Sequence, residues 1–413
     1  MTTINFDDDN FFSHFGEIVG DAMGERLENS PYFIGMMSGT SLDGMDAVLC
    51  QFYDTGEIEV LDSVSVAFPD DLRMALFALT MPNGANEFIH ANNLAFESEL
   101  DLYGWASVFY AEFASGVVKT LLNQAQFSPS DINAIGCHGQ TVRHRPHWHF
   151  SLQLLDPNVL AERTGITVVS DFRRRDMAVG GQGAPLVPAF HQAIFSREFT
   201  REPIGAVLNL GGIANLTILS EPVLGFDTGV ANLLIDAWCE RHTGERFDKN
   251  GTWASTGEVI EPLLAQFLTH PFFSQSIPKS TGREAFNMAW LDHELEMFSR
   301  EFTQVALSSA DVQATLTEMV AVSIANHLQA FDVAKTLVVC GGGALNGHLI
   351  SRLKANLADW HVKNSENFGV LPTLVESMAF AWLARQTIIG ETGNLPAVTG
   401  ANKAVVLGTV CFA

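Results

Sequence analysis

Positive charge is what this chain has least of. Its 23 Lys and Arg stand against 47 Asp and Glu over 413 residues, a formal net charge of -24. No broad basic surface is available to release counterions, which argues against nucleic acid and anionic membrane as partners. The densest basic run, Arg173-Arg174-Arg175, is short. An anionic substrate must therefore be met by local N–H groups, a few arginines and a metal rather than by the global field. Cysteine is scarce too: Cys50, Cys137, Cys239, Cys340 and Cys411 are odd in number and never in CxxC spacing. That argues against a disulfide framework or a zinc site and for a reducing compartment. No apolar run reaches membrane-spanning length. Residues 1–30 carry Asp7, Asp8 and Asp9 but neither a cationic n-region nor an apolar h-region, so they are no signal peptide. The expectation is a cytoplasmic protein with an acidic leader over 1–30 that the fold does not need. Heptads, short-period repeats and low-complexity tracts are missing as well.

Apolar residues, at 47%, are plentiful, and the length exceeds what one core usually serves, so two domains are expected. The chain is organised around residues 34–49, where an apolar start runs into a turn and a second apolar run emerges at 47–49. This is the pattern of a hairpin with a functional tip. At the tip Gly39 and Gly44 bracket Thr40, Ser41, Leu42 and Asp43, with Met45 and Asp46 following. Glycines let backbone N–H groups approach an anion, the two hydroxyls add donors, and Asp43 suits a hydrated divalent cation. The chemistry suggested is nucleotide phosphate plus Mg²⁺. A polar hairpin turn would use the same residues, and no Gly-Lys-Ser/Thr follows as a Walker A loop requires. Recurrence separates the two readings. Residues 206–219 repeat the plan of strand, turn at Gly211-Gly212 and strand, giving one phosphate-cradling hairpin per half.

Between the hairpins, apolar spacings of three and four predict helices over 71–80, 86–100 and 102–126. A strand at 132–135 delivers His138 and Gln140 near its carboxyl end, where open α/β sheets bind ligands; sugar or phosphate contact and a hydrogen-bonded turn are both open readings. A strand at 166–169 leads into Asp171, Arg173, Arg174 and Arg175 and a glycine loop at 180–186, charged residues ill suited to a core. Arg201-Glu202-Pro203 is the expected junction between an N-terminal domain, 31–203, and a C-terminal domain, 204–413. Asp227 sits at an expected strand-to-helix turn, where helix cap and catalytic carboxylate are equal contenders. A buried strand at 336–340 ends in Gly341-Gly342-Gly343, which allow flat approach of a ligand such as adenine. Glu376 lies in the first turn of a helix expected over 376–386.

Two phosphate hairpins and a late strand, triple-glycine turn and helix resemble the actin, sugar-kinase and Hsp70 superfamily. The strings GTSLDGMD (39–46), GCHGQT (136–141), DFRRRDMAVGGQGAPLVPAFH (171–191), LNLGGIANLT (208–217), PKSTGRE (278–284), CGGGALN (340–346) and NLPAVTGA (394–401) narrow this. Together they closely resemble the anhydro-N-acetylmuramic acid kinase family, from about Tyr32 to the C-terminus. The resemblance implies an α/β fold of two ribonuclease-H-like domains flanking an ATP cleft, the last segment packing back on the first domain. It implies that 1,6-anhydro-N-acetylmuramic acid, a cell-wall turnover product, is opened by water while O6 is phosphorylated by ATP and Mg²⁺. Asp227 would be the base on the water attacking C1, Gly39 to Asp46 the ATP loop, Gly211 and Gly212 the second phosphate turn, and Gly341 to Gly343 the adenosine platform. Arg174 or Arg175 would meet the lactyl carboxylate, and Glu376 a sugar hydroxyl, with His138, Gln140 and Asn232 completing the substrate set. One departure stands out: the family commonly has Pro-Gly where this chain has Val230-Ala231, and an added Cβ is poorly tolerated where φ is positive. An ordinary sugar kinase, with Asp227 deprotonating a substrate hydroxyl, and an impaired nucleotide-binding sensor are the rival readings. Oligomeric state, a homodimer included, stays open.

Overall fold

The computed structural model describes residues 30–39, 42–81, 83–195, 202–283 and 285–413. The acidic leader to residue 29, Thr40, Ser41 and Arg201 of the expected junction lie outside the described residues. Strands β1 (Tyr32–Met37), β2 (Gly44–Phe52) and β3 (Ile58–Ala67) form an antiparallel meander. Strand β4 (Ala134–Cys137) joins β1 in parallel. After a two-stranded ribbon of β5 (Gln140–Arg145) and β6 (Phe150–Leu154), β7 (Val168–Ser170) joins β4 in parallel. The second half repeats the scheme. Strands β8 (Ala206–Leu210), β9 (Ile213–Ile218) and β10 (Leu224–Val230) form a meander, and β11 (Thr336–Cys340) and β12 (His361–Asn364) extend it in parallel from β8. The spatial order β10-β9-β8-β11-β12 matches β3-β2-β1-β4-β7, to which β13 (Thr409–Cys411) adds an antiparallel edge. Two sheets of identical strand order are the duplicated ribonuclease-H-like α/β plan.

Period-two alternation explains why both meanders are buried on two faces. Ile34 and Met36 enter a core with the helix Glu99–Ala125, whereas Phe33 faces a different core with the helix Val375–Ile388. In the second sheet Ala206, Leu208, Leu337 and Val339 point into the core of the helix Ser309–Leu328, while Val207, Val338 and Cys340 share the core of helix Val375–Ile388. That helix thus packs against residues of both sheets. It lies so close to the first that a Cβ on Gly35 would fall 1.9 Å from the Ser377 carbonyl and one on Gly136 2.0 Å from the Phe380 carbonyl. These two glycines are register partners on β1 and β4, so together they make a shallow seat for the helix backbone.

The expected helix over 86–100 is a correction. The chain forms a helix at Gly84–Ala91, breaks with Asn93 at φ 49°, and restarts at Glu99. Ser98 caps the new helix by accepting from the Asp101 N–H while the Asp101 carboxylate accepts from the Ser98 N–H, a reciprocal box that outweighs continuous apolar spacing.

Candidate active site

The first hairpin is anchored from beneath. Ser38, just before the glycine turn, donates to Gln140 Oε1 at 2.8 Å, which leaves the Tyr110 hydroxyl, also at 2.8 Å, to donate to Ser38. All three side chains are buried, so Gln140 holds the entry to the loop rather than an open pocket wall. Of the expected ATP loop, Leu42 (φ 60°) and Met45 bury their side chains in the core, leaving only main chain for a ligand. Gly44 is demanded by packing, since a Cβ there would lie 2.3 Å from the Val66 carbonyl. Asp43 is exposed and Asp46 is half-buried on β2, accepting from the Ser65 hydroxyl. Thr40 and Ser41 lie outside the described residues.

The second hairpin turn meets a helix amino end. The Gly212 carbonyl accepts from the N–H of Ala231 at 2.9 Å and of Leu233 at 3.2 Å, and the Gly211 carbonyl from that of Asn232 at 3.1 Å. This couples the β8–β9 turn to the start of helix Asn232–Thr243. Asn232 donates to the Leu210 carbonyl at 3.1 Å, and its side chain lies against Gly343. Gly341 (φ 81°) and Gly343 approach β8 so closely that a Cβ on either would clash with Asn209 or Leu210. Gly342 has nothing within 4 Å of its would-be Cβ, so it is the glycine whose face stays open. Gly211 and Gly212 are similarly free of clashes under 3.4 Å.

Asp227 is not at a strand-to-helix turn. It lies within β10, at a bulge between Asp227 and Gly229, and the following helix has Ala231 as an N-cap without a side-chain bond. The helix-cap reading therefore falls. Its Oδ1 accepts from Asn215 Nδ2 at 2.8 Å and its Oδ2 from the Thr281 N–H at 2.9 Å, while its own N–H donates to the Lys279 carbonyl at 2.9 Å. A neighbouring strand and the 278–283 segment thus grip the carboxylate from two sides and hold it in one orientation. Ala231 has φ -123°, outside the left-handed region, and Val230 pairs with Ile213 in the sheet. The objection to an added Cβ at this turn consequently disappears, and with it the motive for the impaired-sensor reading.

A second polar group gathers under the helix Val375–Ile388. Asn209 donates to Glu376 Oε1 at 3.0 Å. Burial raises the Glu376 carboxyl above its usual range and the nearby Asp46 adds to this, while Asn209 and the Arg173 guanidinium oppose it. Arg173 donates through Nε to His138 Nε2 at 3.0 Å and through a terminal nitrogen to the Gly183 carbonyl at 2.9 Å. Burial lowers Arg173 to about 10 against the pull of Glu376. His138 is held well below the usual imidazole value by burial and by Arg173. It is therefore neutral, and because Nε2 accepts, its proton sits on Nδ1. Arg174 and Arg175 are not in this group. Arg174 is exposed and paired with Asp171, and both arginines line an open pocket of about 490 Å³ beside Val406 and Thr409 at the β13 edge. The sequence singled out these two, yet it is Arg173 that bonds His138 and whose charge acts on Glu376.

Asp236 on helix Asn232–Thr243 is pushed up to about 7 by burial, with the charges of Asp43 and Asp248 adding to the effect. No group of three or more His, Cys, Asp or Glu able to hold a metal occurs among the described residues. Another residue the sequence reading passed over is Asp176, fully buried, which accepts from Asn394 at 2.6 Å, Thr399 at 2.7 Å and the Gly183 N–H at 2.8 Å. It ties the strings at 171–191 and 394–401 together, which explains their joint presence without a ligand. Asn209, Asn215 and Thr281 also lay inside quoted strings; nothing in their spacing marked which carboxylate they would meet.

Duplicated sheets, paired glycine turns and an oriented carboxylate define a phosphotransferase of the two-lobed sugar-kinase class. The family model for anhydro-N-acetylmuramic acid kinase matches residues 31–413. The protein of that name from Psychrobacter cryohalolentis is 53% identical over 431 residues, covering 98% of this chain and all of that one. The one from Haemophilus influenzae is 45% identical over 389 residues, covering 92% and 97%. The chain belongs to the anhydro-N-acetylmuramic acid kinase family. Among solved structures, the activator of the 2-hydroxyisocaproyl-CoA dehydratase from Clostridium difficile with bound ADPNP is similar with a TM-score of 0.43 at 12% identity, covering 87% of this chain and 96% of that one. A likeness this distant adds nothing to the site.

Proposed function

We propose that this chain uses ATP to phosphorylate O6 of 1,6-anhydro-N-acetylmuramic acid while water opens the anhydro ring, giving N-acetylmuramic acid 6-phosphate for cell-wall recycling. The water oxygen bonds to C1 as its proton passes to Asp227. The C1–O6 electron pair leaves with O6, which takes the γ-phosphoryl group as its bond to ADP breaks. The observation that carries this reading is the double grip on Asp227 by Asn215 and the Thr281 N–H, beside a glycine turn fused to a helix amino end. A base fixed in orientation lowers the barrier to water attack, and main-chain donors with a helix dipole favour the phosphate charge. The glycines at 211, 212 and 342 leave main chain accessible for this purpose, and Glu376, Arg173 and His138 offer an acceptor, a cation and a neutral imidazole for the sugar.

Asp43 and Asp236, whose charges act on each other, are the carboxylates that would hold Mg²⁺ alongside phosphate oxygens and water, and the ion would neutralise phosphate charge during transfer. The proposed lobes are 31–203 and 204–413, with helix Val375–Ile388 returned to the first by its seat on Gly35 and Gly136. No helix among the described residues is long and apolar enough to cross a membrane, which accords with work in the cytoplasm. The test is ADP release with and without the anhydro sugar, run in heavy-oxygen water. Sugar-dependent release with label on C1 is expected; release without label selects an ordinary sugar kinase.

A further inference from the structure

Four side chains stand in one row across the second sheet. Cys340 on β11 is the register partner of Asn209 on β8, Asn209 of Asn215 on β9, and Asn215 of Asp227 on β10. Register partners share a face of the sheet, here the face on which Val207 and Cys340 pack with the helix Val375–Ile388. The two asparagines serve different carboxylates. Asn215 donates to Asp227 Oδ1 at 2.8 Å, whereas Asn209 donates to Glu376 Oε1 at 3.0 Å. The Asn209 amide is set from its other side, because its Oδ1 accepts from the Cys340 thiol at 3.9 Å and burial keeps that thiol protonated. Gly341 makes room for it: a Cβ there would lie 2.4 Å from Asn209 Oδ1. Neighbouring strands are about 4.8 Å apart, so two strand spacings put Asn209 about 10 Å from Asp227, room for one substituted sugar ring. Asn209, Asn215, Asp227 and Glu376 are all half-buried, and Glu376 Oε2 has no hydrogen-bond partner among the described residues and is not sealed from solvent.

We infer that Asn209 is a positioning residue, which occupies Glu376 Oε1 and so leaves Oε2 to accept a sugar hydroxyl beside Asp227; this rests on the reading above that Glu376 meets the sugar. A glutamate side chain can turn either oxygen outward, and one hydrogen bond from a residue fixed in the sheet removes that choice. The same bond favours the ionised form, since an N–H donor stabilises carboxylate over carboxyl. Other groups around Glu376 pull in both directions. Burial raises its carboxyl above the ordinary range and the Asp46 charge on β2 adds to this, while Asn209 and the Arg173 guanidinium lower it. Cys340 on β11 is neutral as a thiol, and His138, beyond Arg173, is neutral as an imidazole. Removing the Asn209 donor therefore leaves Arg173 alone against burial and Asp46.

The experiment titrates 1,6-anhydro-N-acetylmuramic acid into full-length wild type, Asn209→Leu and Asn209→Asp by calorimetry, with a non-hydrolysable ATP analogue present. It runs from about pH 5 to about pH 9, where the sugar's own carboxylate stays ionised. Leucine removes the donor at similar volume, and aspartate sets an acceptor and a like charge against Glu376. Near pH 7 the sugar Kd should rise at least about 10-fold in Asn209→Leu, the scale of one hydrogen bond to a charged group, with nucleotide Kd within about twofold. The pH below which sugar affinity is lost should move upward in Asn209→Leu and further upward in Asn209→Asp, because the ionised form of Glu376 is reached later in each. A residue that only packs would weaken binding equally at every pH. A sugar Kd within about twofold of wild type in Asn209→Leu would overturn the inference, as would a weakened affinity with the wild-type pH dependence or a smaller displacement in the aspartate variant than in the leucine one. Failure of the underlying reading looks different: wild type would then bind no anhydro sugar, or Glu376→Gln would leave the sugar Kd unchanged.

Discussion

Replacing Asp227 by Asn removes the proposed base while keeping nearly all of its packing, and the expected cost can be worked from its partners. The Thr281 N–H is a fixed main-chain donor 2.9 Å from Oδ2, so the amide oxygen of the new Asn must face it. The new NH₂ then faces Asn215, whose own NH₂ donates to Oδ1 at 2.8 Å in the wild type. Asn215 resolves the donor–donor conflict by turning its amide over to present its oxygen. These two hydrogen bonds survive, weakened from charge-assisted to neutral, a loss of about 1–2 kcal/mol between them. Turnover should fall far more, by ~10² to 10⁴-fold, because a neutral amide cannot take the water proton. That corresponds to about 3–5 kcal/mol of transition-state stabilisation. Coupled ADP-release assays give the rate, nucleotide titration the affinity, and a thermal melt the stability. Retention of more than about one-tenth of wild-type turnover, with heavy oxygen still entering C1, would refute the assignment of Asp227.

Three further outcomes are expected. Asp176→Ala leaves the Asn394, Thr399 and Gly183 donors buried without their acceptor and should destabilise the chain by about 3–5 kcal/mol, read as a lowered urea midpoint. Gly35→Ala places a Cβ 1.9 Å from the Ser377 carbonyl and should cost at least ~1–3 kcal/mol by forcing helix Val375–Ile388 off the sheet; it should lower activity as well, because that helix carries Glu376, and a wild-type melt and rate would contradict the seat. The Asp236 carboxyl, held up to about 7 by burial and by the charges of Asp43 and Asp248, binds its proton more tightly folded than unfolded. Its contribution is present at low pH and is lost as pH rises toward 7. Asp236→Asn should match wild type in Tm at about pH 4 and below, the ordinary carboxyl range, and exceed it by a growing margin up to about pH 7 and a steady one beyond; a constant difference from about pH 4 to about pH 8 would contradict the shift.

Helix and strand boundaries were legible wherever apolar period and breaker agreed. The helix Asp70–Thr80 and the strand β11 fall where the pattern put them, and the strands of both glycine hairpins pair as read. Short strands of mixed polarity were not legible: β5 runs Gln-Thr-Val-Arg-His-Arg, with no clean alternation to mark it. The site was legible in its residue types but not in its pairings. Local pattern made Asp227 a cap or a base with equal force; its place within β10 removes the cap, and the Asn215 and Thr281 contacts that orient it come from 12 and 54 positions away. The same limit kept local pattern from distinguishing three consecutive arginines. Adjacent residues on one short helix point in different directions, so Arg173 turns inward to His138 while Arg174 turns out to Asp171.

By itself the sequence determined the family, the two glycine hairpins and the alternating faces of each meander, because all of these follow from residue type and local period. Tertiary structure alone decided which polar groups meet. Hydrogen bonds and steric seats such as Gly35 against Ser377, more than three hundred positions apart in the chain, depend on where the backbone returns, and no local pattern encodes that distance.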